Sequence, residues 1–129
     1  MNKVEYWVDT ANYDLDTAEA MYQTKRWLYV GFLCHQVIEK MVKAYHVDCK
    51  QEMPPRIHNL YRLSSDCGLY DIFSQNQQDF LSMPEPLNIE GRYPEYRDRI
   101  FKSLSPTKCR EIIDQTRQLK EWIFEKLKK

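Results

Sequence analysis

Phe32-Leu33-Cys34-His35-Gln36-Val37-Ile38-Glu39-Lys40-Met41-Val42-Lys43-Ala44 is the stretch that decides how this chain folds. Apolar positions Leu28, Val30, Phe32, Leu33, Val37, Met41, Ala44 and Tyr45 recur largely at helical spacing, so a helix is expected from Trp27 to Val47. Polar side chains sit on several faces of this otherwise apolar helix. His35, Glu39 and Lys43 follow one another at intervals of four and lie along one side, where neighbours interact in sequence. Gln36 and Lys40 form an adjacent row.

Upstream, Val4, Trp7, Val8, Ala11, Leu15, Ala18 and Tyr22 repeat at helical spacing and predict a first helix from Lys3 to Thr24. Its other face, Glu5, Asp9, Asn12, Asp16 and Glu19, is acidic or polar, as expected of an outer wall washed by solvent. Downstream, Met53-Pro54-Pro55 ends any helix, because proline restricts its own backbone and that of the preceding residue. Leu60, Leu63, Cys67 and Leu69 predict a third helix from Asn59 to Cys67, terminated at Gly68. Ile72, Phe73, Phe80 and Leu81 predict a fourth, capped by Asp71 and reaching Met83, with its glutamines exposed. Pro84, Pro86, Gly91 and Pro94 mark a loop. Ser105-Pro106 then caps and opens a last helix through Ile112, Ile113, Thr116, Leu119, Ile123 and Leu127.

Three long amphipathic helices joined by shorter ones hide their apolar stripes against each other. The expected fold is therefore all-α, an antiparallel up-and-down bundle of four to five helices forming one domain over residues 1–129. Three glycines are too few for a turn-rich β-protein. Nineteen Lys and Arg balance nineteen Asp and Glu, so no overall charge draws the chain to nucleic acid or a membrane, and any basic site must be local. No apolar run approaches the roughly 18–20 residues of a membrane span, and the opening residues lack the core of a signal peptide, which predicts an intracellular, cytoplasmic protein. Cys34, Cys49, Cys67 and Cys109 are scattered singly, without metal-ligand spacing, and are expected to be reduced. No nucleotide-binding glycine loop or zinc motif is visible, and no cofactor is called for.

Two stretches bear on function. Around His35, two readings stay open: Glu39 pairs with Lys43 or with a residue on another helix while His35 satisfies a buried group, or the stretch makes an anion or nucleotide contact in which His35 and Lys43 donate and Glu39 orients them. At Arg92-Tyr93-Pro94-Glu95-Tyr96-Arg97-Asp98-Arg99, guanidiniums alternate with aromatic rings, a pattern that serves phosphate binding and base stacking or, through Glu95 and Asp98, a salt-bridged loop.

Trp7, Ala11, Asp14-Leu15 and Ala18, the run from His35 to Ala44, the proline-rich connector before His58-Asn59-Leu60, and Arg92-Tyr93-Pro94 together resemble the landmarks of the HEPN domain family. The resemblance spans most of the chain, and its most specific part lies around Gln36, Glu39-Lys40 and Lys43-Ala44. It implies a helical bundle, frequent homodimerisation, association with nucleotides or RNA, roles in toxin–antitoxin, phage-defence or stress systems, and, in some members, a small nucleotidyltransferase as partner. The ribonuclease branch pairs an arginine with a histidine a few residues later. This chain departs from that pattern: Arg56-Ile57-His58 has a single intervening residue, and no histidine follows His58. The expected function is therefore binding of a nucleotide or phosphate-bearing ligand, with His35, Gln36, Glu39, Lys40, Lys43, Arg92, Tyr93 and Arg97 as candidate contacts and no catalytic residue. The alternatives are a divergent metal-independent endoribonuclease and a structural dimerisation protein.

Overall fold

A computed structural model describes residues 3–82 and 104–127. Among these residues it contains helices and no strands: α1 (Lys3–Gln23), α2 (Trp27–Lys50), α3 (Leu60–Asp66), α4 (Leu69–Ile72), α5 (Gln75–Leu81) and α6 (Pro106–Lys126). The all-α bundle expected from the sequence is present.

Helices α1 and α2 are joined so tightly that they must fold back on each other. Lys25 takes a left-handed φ of 64°, and the amide of Arg26 donates to the carbonyl of Met21 at 2.7 Å, closing the end of α1. Side chains then meet in antiparallel register, Tyr22 against Trp27 near the turn and Trp7 against Lys43 far from it. Helix α6 also runs antiparallel to α1, since Glu19 meets Arg110 and Asn12 meets Lys120. Helices α2 and α6 are consequently parallel. Cys109 lies at the level of Trp27, and Cys34, seven residues further along α2, interacts with Thr116, seven further along α6.

This arrangement puts α2 at the centre. Val30, Cys34, Val37, Ile38, Met41, Val42 and Ala44 are all fully buried along one broad side of the helix, and His35, Glu39, Lys43 and His46 extend the buried surface beyond it. Ala11, Leu15 and Ala18 of α1 and Ile112, Ile113, Leu119 and Ile123 of α6 close over them, while Leu60, Leu63 and Leu69 seal the remaining side. The acidic face of α1 is solvated as expected, with Glu19 as the exception. Its carboxylate accepts from Arg110 at 2.6 and 3.0 Å and from Arg117 at 2.8 Å. These bonds, led by Arg110, outweigh the effect of burial and hold the Glu19 carboxyl below its ordinary value. The four cysteines are free thiols. Burial pushes the Cys34 thiol up to about 12, which leaves it protonated and unreactive.

The short helices follow local chemistry. Asn59 caps α3 by accepting from the amide of Arg62, and Ser105 caps α6 by accepting from Lys108, ahead of Pro106 in its first turn. The fourth helix predicted from Asp71 to Met83 is instead two. Gly68, at φ 80°, opens the single turn of α4, and Phe73 leaves it in an extended conformation. Asp71 lies inside α4 and caps nothing. The true cap is Ser74, whose hydroxyl accepts from the Gln77 amide while the Gln77 side chain accepts from the Ser74 amide, a reciprocal capping box.

Candidate functional site

Because α2 is central, several of its polar side chains, His35, Glu39 and Lys43 among them, are buried, and the cost of burying them demands partners. Glu39 is 1% exposed. Its Oε2 accepts from Lys43 Nζ at 3.1 Å, one turn further along the helix. Its two oxygens also lie 3.1 and 3.2 Å from His58 Nδ1, contributed by the connector between α2 and α3. Lys43 is itself buried, and its ammonium stands 5.3 Å from the centre of the Trp7 ring on α1. Lys43 and His58 thus meet at the Glu39 carboxylate, with Trp7 of α1 set against the Lys43 ammonium.

Burial would raise the Glu39 carboxyl, but the Lys43 charge and the hydrogen bonds from His58 and Lys43 outweigh it and hold the group below its ordinary value. Glu39 is therefore an anion at neutral pH and only accepts, so His58 Nδ1 carries the proton and donates. That fixes the His58 ring and leaves Nε2 as its remaining polar atom. With the side chain 64% exposed against 2% for that of Glu39, the pair couples a buried anion to a surface imidazole.

A depressed carboxyl contributes stability that is complete above the unfolded value, about 4.5, and disappears as pH falls through the lower folded value. The urea midpoint of the wild-type protein should accordingly drop faster than that of Glu39→Gln as pH falls through the window below about 4.5. Parallel profiles across that window would mean that the carboxylate is not held by its neighbours.

The other predicted residues are placed as follows. His35 is fully buried, with Nδ1 3.8 Å from Glu39 Oε1, too far for a hydrogen bond and closed to an external ligand. Gln36 accepts from Lys40 Nζ at 2.9 Å, and Lys40 also lies 3.9 Å from Asp14 of α1, forming a partly exposed row beside the cluster. Desolvation raises the Asp14 carboxyl, against the lowering effect of Lys40 and with a further push from the Glu39 charge. Arg92, Tyr93 and Arg97 lie outside the described residues. The residue missing from the sequence-derived set is His58. Its signal was present, since it follows a proline-rich connector within the run His58-Asn59-Leu60, but nothing local links it to Glu39, nineteen positions earlier.

Chemically, an imidazole oriented by a carboxylate can contact an anion or move a proton. Among the described residues, no group of three or more His, Cys, Asp or Glu could hold a metal ion, and no helix is long and apolar enough to cross a membrane.

The family model described as the HEPN domain matches residues 4–127. No curated protein matches the chain. Among solved structures, the chain is similar to TT1696 from Thermus thermophilus, with a TM-score of 0.82 and 17% identity over 98% of this chain and 100% of that one. At that identity the likeness concerns the fold.

Proposed function

From the premise that this chain belongs to the HEPN domain family, we propose that it is a binding module for a nucleotide or other phosphate-bearing ligand, working beside a small nucleotidyltransferase in a toxin–antitoxin or stress-related system. The observation that carries this reading is the His58 ring, held at the surface by a hydrogen bond to buried Glu39, with Nε2 left to meet a ligand. Lys43 lies behind the pair and is committed to Glu39, so its role is to stabilise the carboxylate that orients His58. His58 therefore takes the place first given to His35. Gln36 and Lys40 flank the cluster and supply a second, partly exposed cation. Homodimerisation and cytoplasmic location belong to the same proposal.

The test is a thermal-shift panel with ATP, other nucleotides, inorganic phosphate and short RNA, repeated on His58→Ala. A ligand that binds the folded state raises its apparent stability, by about 2.7 kcal/mol at a hundredfold excess over Kd. A shift with one or more nucleotides that falls by half or more in His58→Ala is the expected result. An unresponsive panel would sink the binding reading and leave a purely structural dimerisation role.

The Glu39–His58 pair also gives the endoribonuclease alternative a specific acid–base residue, which His35, being buried, does not. RNA cleavage without metal that is lost in His58→Ala would favour that second reading.

A further inference from the structure

We propose that the base of a nucleotide ligand stacks in a pocket between the first turns of α1 and the segment that follows α2. The pocket is about 290 Å³ and is walled by Tyr6, Trp7, Met53 and Pro54, with Lys3 completing it. This inference rests on the phosphate-binding reading above and names where the rest of that ligand goes.

Four observations converge. First, the pocket and the Glu39 cluster share a wall: Trp7 lines the pocket and carries the Lys43 ammonium at 5.3 Å, Lys43 touches Glu39 at 3.1 Å, and Glu39 touches His58 at 3.1 Å. Pro54 lies on the same connector as His58, so both parts of the site depend on one segment. Second, Tyr6 and Met53 are 51% and 68% exposed, two large apolar side chains left in solvent beside the same cavity. Tyr6 meets Trp7 edge to face, with ring centres 5.1 Å apart, which presents aromatic surface in more than one plane. Third, the volume falls just below the roughly 300–1,000 Å³ typical of small-ligand pockets, enough for a planar ring system and little more.

Fourth, the charge is distributed as a nucleotide requires. The walls are apolar except for Lys3 and the Tyr6 hydroxyl, so an ionised phosphate would lose its hydration inside the pocket without adequate compensation. An uncharged aromatic ring is the part that enters. The phosphate stays outside, toward Lys3 and His58. With so few polar groups to read base edges, the pocket uses stacking, which every base supports through its π-face, and binds purine and pyrimidine nucleotides alike.

Calorimetric titration of the whole chain with AMP, ribose 5-phosphate and adenosine, in the wild type, Tyr6→Ala and His58→Ala, tests this. Tyr6 and His58 are exposed, and melting curves check that each variant folds. The wild type should bind AMP about tenfold or more tightly than ribose 5-phosphate, and Tyr6→Ala should remove that difference while leaving ribose 5-phosphate unchanged. AMP, GMP, CMP and UMP should bind within about tenfold of one another. Adenosine binding abolished by Tyr6→Ala, with ribose 5-phosphate inert, would support the pocket and sink the phosphate reading. Equal binding of AMP and ribose 5-phosphate, both weakened by His58→Ala and neither by Tyr6→Ala, would overturn the pocket and leave the phosphate reading standing. Failure of all three compounds to bind would overturn both. Light scattering adds a last outcome: a ligand-free dimer dissociated by Tyr6→Ala would place a second copy of the chain on this face and overturn the base-stacking assignment.

Discussion

Replacing Glu39 with leucine should destabilise the protein by about 3–5 kcal/mol at neutral pH, the cost typical of removing one partner from a buried ion pair. The reason lies in what remains. Lys43, with its side chain 9% exposed, would be left beside the Trp7 ring without the carboxylate that partners it. The ring offsets part of that loss, on the order of 1 kcal/mol, which places the expectation toward the lower end of the range. His58 would also lose its hydrogen bonds, releasing the connector from α2. Lys43→Met should cost less than Glu39→Leu, because Glu39 would still accept from His58. The double variant Glu39→Leu/Lys43→Met removes both charges and should recover to within about 2 kcal/mol of the wild type, since buried pairs exchange for apolar residues of similar volume at little net cost. Urea denaturation of all four proteins measures the coupling directly. Additive losses in the double variant would show that the two charges do not depend on each other.

The same cluster marks where sequence reasoning works and where it stops. The intervals His35, Glu39, Lys43 were legible because helical periodicity relates residues within a helix, and the Glu39–Lys43 pair is there at 3.1 Å. Periodicity says nothing about what a connector brings back. The path from Gln51 to Asn59 is set by two prolines and by burial of Pro54, so the contact from His58 to Glu39 emerges only in three dimensions. The burial of His35 has a related origin. His35 lies on the side of α2 that packs into the core, away from the partly exposed row of Gln36 and Lys40, and which side that is depends on how α1 and α6 pack over the helix.

Helices α1, α2 and α6 were visible because each carries a long apolar stripe and clear ends. The break between α4 and α5 was half visible. Ser74-x-x-Gln77 is a capping-box pattern, a stronger helix-start signal than a lone Asp71. The extended conformation of Phe73 has a tertiary component, since its ring packs 5.5 Å from Trp122 on α6 and 6.4 Å from Tyr70. No local pattern announces that.

Truncating Ile38 to alanine should cost about 2–5 kcal/mol, the range for deleting a buried branched side chain from a core that relaxes only in part. Ile38 is 0% exposed and belongs to the α2 core that α1, α3 and α6 enclose, so the space it vacates is walled by several elements and closes poorly. The better helix propensity of alanine returns only a few tenths of a kcal/mol. Tyr29→Ala, on the same helix, is the matched control. That ring is 55% exposed, and its loss should change stability by no more than about 0.5 kcal/mol. The comparison separates a central helix from an amphipathic wall, because propensity would help both variants while only one opens a cavity. Should Ile38→Ala unfold within about 1 kcal/mol of the wild type, α2 would have a soft side, and the reason given for the burial of Glu39 and Lys43 would fail with it.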